Sequence, residues 1–124
     1  MKHLTPTHLT ELRSQLQARE RQLATEIDAA LARRQEQSLA GREVDQGVLD
    51  LETALGFAEV LRDQAELDAV HGALGRIDRG TYGRCLGCGT RVPLERLRAQ
   101  PDAAFCHVCQ SRAEVHAGPG LSAP

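Results

Sequence analysis

Leucines set the rhythm of the first third of the chain. Leu9, Leu12, Leu16, Leu23, Ile27, Ala30 and Leu31 recur at spacings of three, four and seven, with charged and amide residues between them. That narrow stripe predicts a long coiled-coil-like helix. It begins at Thr5 or Thr7: Thr5 can cap, with Pro6 in the first helical position, where a missing N–H costs nothing. The stripe fades in "ARRQEQSLAGREVDQG", where Gly41 is a natural breaker.

A second stripe runs from about Val44 to Ile77 through Val48, Leu51, Leu55, Ala58, Leu61, Ala65, Leu67, Val70, Leu74 and Ile77. Gly56, Gly72 and Gly75 interrupt it and mark either a close helix approach or a bend. Two long helices joined by a short turn predict an antiparallel hairpin, about 28 residues per arm and roughly 40 Å long. After Ile77 the pattern changes. "DRGTYG" is a break, "LERLRA" between Pro93 and Pro101 is a short helix, and a last helix covers roughly 106–116. The expected fold is therefore all-α: a hairpin over 5–78 with its tip near 40–47, a small cysteine-bearing module with a short C-terminal helix over 79–117, and a loose tail at 118–124.

Composition sharpens this picture. The 124 residues contain two Phe, one Tyr and no Trp, although 41% are hydrophobic. Aromatic side chains usually dominate globular cores, so their scarcity argues for a rod held by a seam, with something else stapling its end. Charge is segmented. Residues 1–42 hold seven basic and five acidic groups, 43–75 hold one basic (Arg62) and eight acidic, and 76–124 hold seven basic and four acidic. A basic arm facing an acidic arm favours intramolecular pairing, so a monomer is expected. "MKHLTPTHLT" lacks the apolar stretch of a signal peptide, and no apolar run approaches membrane-spanning length; a cytoplasmic location with reduced thiols is expected.

All four cysteines lie in "RCLGCGTRVPLERLRAQPDAAFCHVCQ", as Cys85-x2-Cys88-x17-Cys106-x2-Cys109. Two thiolates from one tight knuckle can share a zinc ion at about 2.3 Å each, and a second knuckle completes a closed tetrahedron. Gly87 and Gly89 flank Cys88 where a knuckle turn needs unobstructed backbone. Four thiolates leave no open coordination position, so one Zn2+ in this site is structural. Zinc with four thiolates carries a net charge of −2, which Arg84, Arg91, Arg96, Arg98 and Arg112 lie close in sequence to offset. Disulfides are disfavoured in a reducing compartment, and a redox CxxC lacks its βαβ context here. An iron–sulfur cluster uses the same ligands. His107 and His116 are bystanders to four cysteines in register.

The same stretch resembles the zinc-finger region of the DksA/TraR family of bacterial transcription regulators. Ile77, Asp78, Gly80, Tyr82, Gly83, Gly89, Arg96, Leu97, Ala99 and Pro101 carry the resemblance together with the four cysteines. It implies a protein that binds RNA polymerase rather than DNA, the hairpin entering the secondary channel and acidic residues at its tip acting near the catalytic centre. The family's tip motif is Asp-x-x-Asp-x-Ala, its second Asp 40 residues before the first zinc cysteine. That register falls on Asp45; the other two positions are Arg42 and Gly47. Arg42 reverses the charge of half the tip, and Gly47 loosens the first turn of the second helix. Asp45 can equally cap that helix. Basic positions that serve the alarmone ppGpp in some members correspond to Ala69, Gln100 and Gln110, none of them charged, so ppGpp-independence or a divergent output is expected.

Two other functions compete: a zinc-stapled adaptor for a different protein, and a zinc-ribbon nucleic-acid module. The second suffers from the acidic arm and the lack of aromatics for base stacking. No nucleophile–base pair is suggested and the metal would be saturated, so no enzymatic activity is expected.

Overall fold

The computed structural model describes residues 3–40 and 46–116, with side chains described outside 37–53. Four helices follow one another: α1 Pro6–Ala40, α2 Gln46–Arg79, α3 Leu94–Ala99 and α4 His107–His116. The fold is all-α, and α1 and α2 pack together as a long hairpin. At 35 and 34 residues the arms exceed the expected length and span about 50 Å.

Local chemistry sets the start of α1. The Thr5 hydroxyl accepts from the His8 backbone N–H at 3.1 Å, and the His8 ring nitrogen Nδ1 accepts from the Thr5 N–H at 3.2 Å. This is a reciprocal capping box in which histidine stands where Glu or Gln is usual. Helix α2 begins at Gln46 and ends at Arg79, each about two residues later than expected.

Leu12, Leu16, Leu23, Ile27 and Ala30 of α1 are buried, as the stripe requires, and Leu9 is partly buried. Leu31 is not part of the seam. It is 46% exposed, because Ala30 takes the inward position and its neighbour necessarily points away. The correction is larger on α2. Val70, Ala73 and Ile77 are buried and Leu67 and Leu74 are partly buried, but Leu55 and Leu61 are 64% and 54% exposed, and Ala58 and Ala65 are exposed too. The step from Ala65 to Leu67 turns about 200° around the helix, so the two halves of the expected stripe cannot share a face. In the distal half Gly56, Val60 and Asp63 are the less exposed positions. A Cβ on Gly56 would lie 3.7 Å from Arg34 Cγ, an ordinary contact, and the Arg34 guanidinium lies over the Phe57 ring at 5.1 Å.

Between Leu16 and Leu23 the seam position is Arg19, which forms a two-pronged pair with Glu66, Nε to Oε2 at 2.5 Å and Nη2 to Oε1 at 2.9 Å. Arg13 pairs with Asp78 at 2.8 Å and Glu20 with His71 at 2.7 Å. These cross-links fix the register of an apolar stripe that, made of small and branched residues, would tolerate sliding.

The largest core lies at the open end of the hairpin. Leu4, Leu12, Leu16 and Leu23, with Val70, Ala73 and Ile77, join Tyr82, Cys85, Val92, Leu97 and Ala103 in one buried cluster. Hairpin base and cysteine module therefore share a core, and the site described next is built on it.

Candidate metal centre and hairpin tip

The first cysteine pair sits on a two-stranded turn. The Val92 N–H donates to the Gly83 carbonyl at 2.8 Å, Arg84 and Arg91 form an antiparallel bridge, and the Cys85 N–H donates to the Thr90 carbonyl at 2.8 Å. The second pair straddles the start of α4. The Leu86 N–H to Ala104 carbonyl bond, 2.8 Å, ties the two knuckles together.

All four sulfurs lie within 4.8 Å of one another, and Cys88 Sγ is 3.7 Å from Cys106 Sγ. A tetrahedron with zinc–sulfur bonds of 2.3 Å has edges of about 3.8 Å, so the donor set has the spacing the ion demands. The four cysteines are free thiols rather than disulfides. A Cβ on Gly87 would stand 3.0 Å from Cys109 Sγ, and this explains why the knuckle carries glycine there.

Hydrogen bonds prepare the sulfurs for charge. The Gly87 N–H points at Cys85 Sγ at 3.3 Å, the Cys109 N–H at Cys106 Sγ at 3.5 Å, and the Thr90 hydroxyl lies 3.0 Å from Cys88 Sγ. Burial works to raise the Cys85 thiol, but backbone N–H groups of Cys106, Cys88 and Gly87 outweigh it and the net shift is downward. The Cys109 N–H does the same for Cys106. Cys109 is pushed up, because the sulfurs of Cys85, Cys106 and Cys88 crowd it. Four sulfurs this close cannot all lose their protons unless a cation shares them, the electrostatic mark of a metal cluster.

Of the arginines expected to offset the cluster's charge, Arg84 and Arg96 are held within the module and Arg98 by α1. Arg84 Nη1 donates to the Gly89 carbonyl at 3.2 Å, and Arg96 Nε donates to the Phe105 carbonyl, immediately before Cys106, at 3.0 Å. Arg98 reaches Glu11 of α1 at 3.4 Å. Tyr82 is fully buried, and its hydroxyl donates to the Pro101 carbonyl at 2.8 Å. Residues singled out at 77–101 for their motif are thus the ones that build the finger: Ile77, Tyr82 and Leu97 are core, Gly80, Gly83 and Gly89 take positive φ, and Arg96 anchors the second knuckle.

Residues 80–115 match the prokaryotic dksA/traR C4-type zinc finger. Over these residues the chain carries a DksA/TraR-type C4 zinc finger. One relative, the RNA polymerase-binding transcription factor DksA of Escherichia coli K12, is 25% identical over 114 residues, covering 91% of this chain and 76% of that protein. DksA of Haemophilus influenzae is 27% identical over 71 residues, covering 57% and 49%. An uncharacterized protein of Aquifex aeolicus is 39% identical over 54 residues, covering 44% and 37%. Among solved structures, transcription factor DksA2 from Pseudomonas aeruginosa superposes with a TM-score of 0.80 at 23% identity, over 90% of this chain and 87% of that one, a likeness of fold. A DksA/TraR C4 site is a zinc site, so Cys85, Cys88, Cys106 and Cys109 are the donors for one structural zinc ion. The ion's role is to cross-link two knuckles, and with four thiolates it has no position for a substrate.

Arg42 and Asp45 lie outside the described residues, and Gly47 falls in the first turn of α2. The sequence pattern missed three contributors to the finger. Thr90 caps a thiolate through its hydroxyl, for which its place two residues after Cys88 was the available signal. His3 and Leu4, ahead of α1, pack onto the finger, and no periodicity announces them.

Proposed function

We propose that this protein is a bacterial transcription regulator that binds RNA polymerase, entering its secondary channel with the hairpin tip directed at the active site. The observation that carries the reading is the shape of a DksA/TraR chain: a slim two-helix rod, about 50 Å long, held at one end by a zinc-stapled base. Such a rod suits delivery of a tip to a site that a globular domain cannot reach. Relatives bearing the name DksA are called RNA polymerase-binding transcription factors, which supports a protein partner and a non-enzymatic role.

Asp45 is the working carboxylate of this tip, flanked by Arg42 and Gly47 where the family motif has Asp and Ala. That departure gives the protein an output different from that of full-motif relatives. The reading is ppGpp-independent and monomeric, makes no direct contact with DNA, and places the protein in the cytoplasm. No helix among the described residues is long and apolar enough to cross a membrane. Supporting independence from ppGpp, Gln100 lines a cleft of about 510 Å³ between α1 and the finger whose two arginines, Arg19 and Arg98, are already paired with Glu66 and Glu11. A polyphosphate needs cations that are free to meet it.

The test is equilibrium binding of the zinc-loaded protein to purified bacterial core RNA polymerase. Saturable binding at micromolar concentration or tighter is expected. Its absence would leave the fold intact and remove the partner.

A further inference from the structure

The residues ahead of α1 do more than lead into it. Leu4 is 7% exposed and belongs to the same buried cluster as Tyr82, Val92 and Leu97 of the finger. His3 Nε2 lies 2.8 Å from the Val92 carbonyl, so that nitrogen carries the proton and donates it; the other, Nδ1, is buried without a partner. Both side chains press on Gly83, whose φ is +87°: a Cβ there would lie 3.0 Å from Leu4 Cδ1 and 3.1 Å from His3 Cε1.

Gly83 and Val92 are the open end of the two-stranded turn that carries Cys85 and Cys88. A two-stranded turn alone is marginal in water and needs a surface to back it. His3 and Leu4 supply part of that backing, and Thr5, which caps α1, follows directly, so the contact is coupled stiffly to the helix. We propose that His3 and Leu4 form a strap that holds the first zinc knuckle against the base of the hairpin, which makes them positioning residues for the metal site. The strap closes the finger onto the rod from the side opposite in sequence to α2, so the finger is gripped both by the helix that leads into it and by the one that starts the chain's hairpin.

The experiment follows zinc release from the zinc-loaded full-length protein to a chromogenic chelator, with amide hydrogen exchange over residues 83–92 measured in parallel. Leu4→Ala should speed release about tenfold and His3→Ala about threefold, from the loss of a buried apolar contact and of one hydrogen bond. His3→Gln keeps a side-chain N–H donor and should restore most of the protection. Ile27→Ala, in the seam but outside the cluster shared with the finger, is the control for general destabilisation: it should lower the melting temperature without speeding release. Should Leu4→Ala fail to fold, the His3→Ala and His3→Gln pair decides alone. Release and exchange unchanged in the strap variants, or accelerated as much by Ile27→Ala, would overturn the proposal.

Discussion

The Tyr82 hydroxyl donates to the Pro101 carbonyl at 2.8 Å, joining the entrance of the finger to the turn between its two knuckles. The ring is fully buried, and burial holds the phenol above its ordinary pKa. Tyr82→Phe should cost about 1–2 kcal/mol, since it keeps the ring but leaves the Pro101 carbonyl without this donor. A raised phenol favours the folded state fully below the unfolded value of about 10, and that contribution is lost as pH rises through the folded one. Thermal melts should show the wild-type advantage shrinking in alkali.

Stripping zinc should separate the two halves of the structure. The finger has few apolar contacts beyond the shared core, so its order depends on the cross-link the ion supplies. Circular dichroism after chelation should retain most of the helical signal of α1 and α2. Amide exchange should lose protection across residues 83–110. Complete loss of helix would contradict this division.

Gly87 gives a sharper probe of the metal site. A methyl group at this position meets Cys109 Sγ at 3.0 Å, and the sulfur cannot retreat without leaving the tetrahedron. Gly87→Ala should weaken zinc binding by about tenfold or more in a chelator competition while leaving hairpin helicity unchanged.

In the seam, Arg19 and Glu66 can be exchanged for what the stripe would otherwise hold. The hydrogen bond from Arg19 holds the Glu66 carboxyl below its ordinary pKa. A depressed carboxylate stabilises the fold above the unfolded value of about 4.3, and the contribution is lost as pH falls through the folded one. Both side chains are more than one-third exposed, so solvent screening limits the pair to less than about 1 kcal/mol. Arg19→Leu with Glu66→Leu should match or exceed wild-type stability at neutral pH and lose that acid dependence, as urea melts at pH 7 and pH 4 would reveal.

How much of this was legible in the sequence differs element by element. The stripe on α1 is unambiguous, because few apolar residues compete for its face. Helix α2 is rich in Ala and Leu all round and carries two partial stripes, Leu55–Ala65 and Leu67–Ile77; the two-residue step between them already sets them on different faces, and packing against α1 decides which is buried. The four zinc ligands are fixed by spacing and residue type alone. Tyr82, Arg96 and Leu97 carry the family resemblance, yet their reasons are three-dimensional: a buried ring, a bond to the Phe105 carbonyl, a core contact. His3 and Leu4 were invisible, since a single contact across the finger leaves no pattern along the chain. Asp45 is reached only by counting 40 residues back from Cys85 in the register of the family motif, and it lies outside the described residues.

The proposed destination of the rod is the secondary channel of RNA polymerase. The most direct measurement is competition between the zinc-loaded protein and a secondary-channel cleavage factor for core RNA polymerase, with an Asp45→Ala variant alongside. Mutual displacement, with Asp45→Ala still competing but altering the lifetime of open promoter complexes differently from wild type, is the predicted result. Simultaneous binding of both proteins, or no displacement at any concentration, would contradict it.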